Sequence, residues 1–257
     1  MAAPDLQIDD LLRQVVAFHR SGVRNDLKLR AFYNEAQSLL PSNPGEAHTV
    51  MGVVACLKGC EEDALRHHQA SLSCGRSRDR IMNYVVTLNY FHRYDEALAC
   101  AQEVVNRDPA DLEALRAVIG AAFTTGQFRL TTHWLAEYAK RVPVLEQWDQ
   151  DLAKMRALLP LIASTAERLN LTDEVLAAFH RPLWQILRTF GEKQDFTITD
   201  KIHREGGDCF ISRTLELPMS FDDIQTIDDQ LVQHWAEQDE VWPVEKFIIL
   251  LREREAA

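Results

Sequence analysis

Through residue 143 the apolar positions recur at three- and four-residue steps, broken by short polar turns. That spacing puts the apolar side chains on one face of successive helices. Within this stretch two segments superimpose. RYDEALACAQEVVNRDP (93–109) sets over QFRLTTHWLAEYAKRVP (127–143), so that Phe128 follows Tyr94, and Pro143 follows Pro109, by 34 residues. KGCEEDALRHHQASL (58–72) repeats the motif one residue out of step, with Ala64-Leu65 matching Ala97-Leu98. Tyr33, Ala36 and Pro41 sketch an earlier copy. Gly59 and Gly126 read as turn residues between paired helices, and Pro109 and Pro143 as helix stops, because proline cannot continue a helix interior. Alanines at 64, 97, 117 and 136 are expected to let neighbouring helices approach closely.

Self-similarity at this period resembles the tetratricopeptide repeat, over roughly residues 8–143. The second half of each motif is well matched. The tryptophan of the family pattern is absent, with Ile81 and Leu115 at its place in the last two copies, and Gly52 is the only glycine at the small within-helix site. The resemblance implies a mainly α fold, a solenoid of helical hairpins stacked because one hairpin cannot bury both its apolar faces. It also implies a concave groove lined by the first helix of each hairpin. Placing those helices at about 46–58, 79–91 and 112–124 points Met82, Asn83, Val86, Asn89, Tyr90, Glu113, Arg116 and Phe123 into the groove, together with Thr49, Val53, Cys56, Leu57 and Gly120. This mixture of amide, arginine and aromatic groups suits an extended peptide or a helix. In the branch of the family that binds acidic chaperone tails, Asn83 would match one clamp amide. Glu113 stands where that branch carries a lysine, so this occupant is not expected.

Past residue 143 the pattern changes in two steps. Leu145, Trp148, Leu152, Met155, Leu159, Ile162 and Ala166 continue a helical period, so residues 144–190 read as capping or linking helices. LTDEVLAAF (171–179) has a helix N-terminus at Thr172 with acids in its first turn. Pro182 is expected to interrupt the following stretch and Gly191 to stop it. DFTITDKI (195–202) and CFISRTLEL (209–217) then alternate around Gly206-Gly207, a predicted β-hairpin. Ser220 with Asp223 forms a capping box opening a helix through Trp235, and KFIILL (246–251) reads as a buried strand. Residues 191–257 thus predict a small acidic α/β domain, in the order α-β-β-α-β, with helices on one face of a three-stranded sheet.

Charge sharpens this division. Residues 1–143 hold 16 Lys+Arg against 17 Asp+Glu, whereas residues 144–257 hold 12 against 22, so the net charge of −11 belongs to the C-terminal part. Such a field disfavours nucleic acid and anionic membranes and attracts a basic protein. No run approaches the roughly 18 apolar residues of a membrane span. MAAPDLQIDD lacks a basic segment followed by an apolar one, so a secretory signal is not expected. An odd count of five cysteines, mostly inside helical patterns, fits reduced thiols in the cytoplasm.

Chemistry adds little. Phosphate-binding glycine loops, H-E-x-x-H and G-x-S-x-G are all absent, and no cofactor is implied. Cys56 and Cys60 with His67 and His68 fit no standard zinc module, so buried thiols and a surface histidine pair are expected. His203, Asp208 and Cys209 cluster at the hairpin turn, the one place where a Cys/His nucleophile is conceivable. Asp222-Asp223 and Asp228-Asp229 are adjacent on a helix and share no face. The sequence therefore points to a non-enzymatic adaptor or scaffold holding a peptide or helix of another protein, with homodimerisation open to the C-terminal unit. The alternative is an inhibitor of the antitoxin or immunity type, whose acidic half covers a basic target. An enzyme using the His203/Cys209 region ranks below both.

Overall fold

A computed structural model describes residues 4–23, 25–144, 148–190, 196–205, 208–238 and 242–254. Within them the protein is mainly helical, with a small three-stranded mixed sheet near its C-terminus. The chain divides into two compact units, Met1–Ala114 and Leu115–Ala257.

Among the described residues, eight helices occupy the expected repeat region: α1 (Pro4–Arg20), α2 (Asp26–Ser38), α3 (Pro44–Leu57), α4 (Glu61–Ser73), α5 (Arg78–Tyr90), α6 (Tyr94–Arg107), α7 (Leu112–Thr124) and α8 (Phe128–Arg141). In the first unit, α3 packs on α4 and α5 on α6, while α3 also meets α1, α2 and α5. The core of this unit runs through Ile8, Leu11, Val15, Phe32, Ala36 and Val50. Ala64 and Ala97 are fully buried, as close packing requires, but Ala136 is exposed and Ala117 only half-buried. In α8 the buried face is carried by Phe128, Thr131, Leu135 and Tyr138 instead.

The same helix ending recurs. Cys60 N donates to Ala55 O, Arg93 N to Leu88 O and Gln127 N to Ala122 O, at 3.0, 2.8 and 2.9 Å. Each bond closes a turn whose preceding residue has positive φ: Gly59 at 73°, His92 at 54° and Gly126 at 76°. This is a Schellman ending, which satisfies carbonyls that the helix leaves open. Pro109 and Pro143 follow α6 and α8 by two residues, as expected of stops.

In the second unit, α9 (Gln150–Arg168) and α10 (Asp173–Thr189) precede β1 (Thr197–Glu205), β2 (Asp208–Leu217), α11 (Phe221–Glu237) and β3 (Phe247–Glu253). Trp148 anchors the entry to α9, donating from Nε1 to Val142 O at 2.7 Å. Thr172 caps α10 through Val175 N, and Ser220 caps α11 through Asp223 N, both as the sequence indicated. Pro182 does not interrupt α10. It is buried in the middle of one continuous face (Leu176, Phe179, His180, Leu183, Trp184, Leu187), and that packing outweighs the lost backbone bond. The expected stop at Gly191 and turn at Gly206-Gly207 lie outside the described residues.

The sheet order is β1-β2-β3, β1 antiparallel and β3 parallel to β2. Ile211 to Leu215 are all buried. Successive strand residues point to opposite faces, so the central strand is covered on both sides, not on the one side expected.

Candidate functional site

Five of the expected groove residues meet at one cleft of about 260 Å³ in the first unit: Thr49, Met82, Asn83, Val86 and Glu113. The remaining walls come from Ile8 and Leu12 of α1 and from Glu46 and Val50 of α3. Met82 is buried, while Val86 is 62% exposed and offers a bare apolar contact. Asn83 turns its amide back onto Asp79 O at 2.8 Å, so that group is already engaged.

The rim of the cleft is charged and tied together by ion pairs. Arg80 grips Glu46 through Nε at 3.0 Å and Nη2 at 2.5 Å. Arg78 holds Asp111 at 2.7 Å and also pairs with Glu113 and Asp79. The Asp111 hydrogen bond raises the Arg78 pKa, and Arg78 in turn lowers that of Asp111. Four carboxylates thus share two guanidinium groups, leaving the rim net acidic.

The other expected groove residues do different work. Asn89 is partly buried, and no hydrogen-bond partner reaches its side-chain oxygen. Tyr90 packs edge-on against Phe91, at 5.1 Å between centroids, over the small cluster of Ala55, Cys56 and Ala64. In the second unit Arg116 donates to Tyr138 Oη from Nε and Nη2 at 3.0 and 2.8 Å. Phe123 belongs to a buried ionic centre described next. Thr49, which the sequence also points into the groove, lines the cleft and bonds Ser71 Oγ at 2.7 Å.

That centre is Arg213, fully buried in β2 and not singled out by sequence reasoning. Its Nε and Nη2 form a two-pronged pair with Asp200 at 2.8 and 2.9 Å, across the β1–β2 ladder. Its Nη1 donates to the carbonyls of Phe123 and Thr124, at 2.8 and 3.1 Å, where α7 ends and its dipole is negative. The guanidinium also lies over the rings of Phe123 and Phe128, 4.9 and 5.1 Å from their centroids. His180 completes the shell, with Nε2 at 3.3 Å from Nη1 and Nδ1 at 2.6 Å from Leu176 O. A carbonyl only accepts, so Nδ1 carries the proton and Nε2 receives Arg213. Burial first, then the Arg213 charge, push the His180 pKa down to about 3. The sequence did hold a signal: Arg213 shares a strand face with Ile211 and Leu215, and counting back from the Gly-Gly turn sets it opposite Asp200.

The conceivable catalytic pair is taken apart. His203 faces Phe210 across the ladder, whereas Cys209 faces Arg204, so the two side chains leave the hairpin on opposite faces. His203 Nε2 bonds Ser212 Oγ at 2.7 Å and its ring stacks on Phe210 at 4.4 Å. His67 and His68 are not a surface pair either: both are buried. His67 meets Tyr33 Oη and His48 Nδ1, each at 3.1 Å, and His68 meets Thr87 Oγ1 at 2.8 Å. No group of three metal-ligating side chains occurs among the described residues, and none of their helices is long and apolar enough to cross a membrane. Against protein-family models, curated proteins and solved structures, the chain has no match.

Proposed function

We propose that this chain is a non-enzymatic interaction adaptor, whose first-unit cleft holds a peptide or helix of another protein in a tetratricopeptide-like array. The observation that carries the reading is the make-up of the cleft. Its walls come from α1, α3 and α5, with Glu113 at the start of α7. These are the first helices of successive hairpins, and a solenoid would line its concave face with them. The period supports it as well: α3, α5 and α7 begin at residues 44, 78 and 112. Contacts repeat at that spacing, Tyr33 with His67 and Glu46 with Arg80.

An apolar floor at Val86 and Met82 inside a net acidic rim suits an apolar anchor side chain flanked by a basic residue. The test is capture of a partner from native extract by the full-length protein and by Val86→Asp, which is exposed enough to leave the fold intact. A stoichiometric partner lost on Val86→Asp supports the cleft. A partner held equally by both proteins removes it.

A second reading, an inhibitor with an acidic face for a basic target, is favoured by α11. This helix exposes Asp222, Asp223, Asp228 and Asp229 beside Phe221 at 66% and Val232 at 55% exposure. Binding that weakens steeply with salt and is lost when α11 acids are reversed would select it over the cleft.

A further inference from the structure

In the first-unit cleft the hydrogen-bond donors are engaged while acceptors stay open. Arg80 gives Nε and Nη2 to Glu46 and Nη1 to Gly75 O, and its side chain is only 15% exposed. Arg78 gives Nε to Asp111, Nη1 to Asp79 and Nη2 to Glu113. The Asn83 amide is turned onto Asp79 O. A carboxylate has room for about four hydrogen bonds. Among the described residues, the carboxylates of Glu113 and Asp79 each meet a single guanidinium nitrogen, and they stay 62% and 81% exposed.

The first turns of α5 and α7 bring amide donors to the same end of the cleft, and an anion could have used them. Oxygens of this chain already cap both: Ser77 Oγ accepts from Arg80 N and Asp111 Oδ1 from Ala114 N. An acidic ligand would therefore find no spare guanidinium there and face exposed carboxylates, whereas a cation would find acceptors in reach.

Along α5, Asp79 and Val86 stand seven residues apart on one stripe of the helix, with Met82 and Asn83 between them. At 1.5 Å per residue the acid lies about 10 Å from the bare apolar contact. An extended polyproline-type segment repeats every three residues and rises about 3.1 Å at each, so residues three apart share a side about 9 Å from one another.

We propose that Glu113 and Asp79 are the selecting residues of this cleft, and that its occupant is a basic extended segment of another protein. An apolar side chain rests on Val86, and a lysine or arginine three places away takes up the open oxygens of Glu113 and Asp79. Asp111 keeps Arg78 in place meanwhile, since its side chain is only 9% exposed. The inference rests on the reading of the cleft as a binding site and adds the residues that choose the partner.

The test is methyl NMR of the full-length chain with three acetylated, amidated peptides of serine and proline. The first carries one leucine and, three places on, one arginine. In the second, glutamate replaces the arginine; in the third, serine replaces the leucine. The methyl signals of Met82 and Val86 should shift saturably with the first peptide, and the other two should bind about tenfold more weakly. The double variant Glu113→Gln, Asp79→Asn, at two exposed positions, leaves two carboxylates to two guanidinium groups and should bind the first two peptides alike. Equal binding of those two by the native chain, or a preference that survives in the double variant, overturns the selection while the cleft stands. Equal binding of the peptide without leucine overturns it too, because only the net charge of the chain is then attracting arginine. If no peptide moves these methyl signals, the reading of the cleft fails and the selection falls with it.

Discussion

The α-carbon of Gly126 sits against the imidazole of His180: a Cβ built on it would come within 2.6 Å of His180 Cε1. Gly126 closes the α7–α8 turn at φ 76°, so two constraints fall on one residue. Gly59 closes the α3–α4 turn at φ 73° with nothing within 4 Å of its Cβ position. The pair separates the two costs. Gly59→Ala should lose about 1–2 kcal/mol from the left-handed backbone alone. Gly126→Ala should lose roughly 3 kcal/mol or more, since His180 is held by Leu176 O and Arg213 and cannot step aside. All five tryptophans lie between residues 134 and 242, so their fluorescence in urea reads the second unit. Circular dichroism reads the helices of both units, so a transition that the tryptophans do not share belongs to the first.

Asp200 and Arg213 carry a second prediction. Removing one member of a buried pair strands the other, at a cost of about 3–5 kcal/mol, whereas replacing both costs much less. Asp200→Asn should fall in that range. Adding Arg213→Met to Asp200→Leu should recover a large part, though not all. The carbonyls of Phe123 and Thr124 lose their donor in either case. A double-mutant cycle by urea unfolding gives the coupling, and additive losses would contradict the geometry.

How much of this was legible follows from the range of the interactions involved. The helices could be read because each announces itself locally, through a 3.6-residue apolar period, a capping side chain, a glycine or a proline. The α5–α6 turn was harder: His92 takes the left-handed place that Gly59 and Gly126 fill, held by Tyr94 Oη at 2.9 Å from its Nδ1. Met82, Asn83, Val86 and Glu113 gather at one cleft because they follow from helix phase alone. Arg116 and Phe123 had the right phase too, but Tyr138 and Arg213 claim them. Arg213 escaped because a charged residue in a strand is read as exposed, and its acceptors at Asp200, Thr124 and Phe123 are 13, 89 and 90 residues away. Pro182 misled in the opposite way, since a local rule yielded to packing visible only in three dimensions.

Asp173 should prove to be a helix cap for a helix other than its own. Its carboxylate accepts from Arg129 N at 3.1 Å and Leu130 N at 2.8 Å, the first turn of α8. Gln127, at the capping position of α8, makes no such bond with its side chain. Asp173→Ala therefore leaves two amide donors open and should cost about 1–2 kcal/mol. Amide exchange at Arg129 and Leu130 should accelerate before that of the α8 centre. If exchange there is unchanged, the cap has no energetic role.

Acid should weaken both units through buried histidines. Burial lowers the pKa of His68 to about 3, as it does for His180. An unfolded histidine titrates near 6.5, so between about pH 6.5 and pH 3 the unfolded chain binds the extra proton. Stability is then complete above about pH 6.5 and falls as pH drops towards 3, by up to about 1.4 kcal/mol per pH unit for each histidine. Most carboxylates titrate below about pH 5, so the interval from 6.5 to 5 belongs largely to these imidazoles. In the second unit protonation is opposed twice, because Nε2 would lose its lone pair and the new charge would face the Arg213 guanidinium. Tryptophan-detected urea midpoints across that interval should slope downward for the native chain. For His180→Asn the slope should flatten, even though its stability is lower at every pH. An unchanged slope would mean that His180 already carries its proton in the folded state.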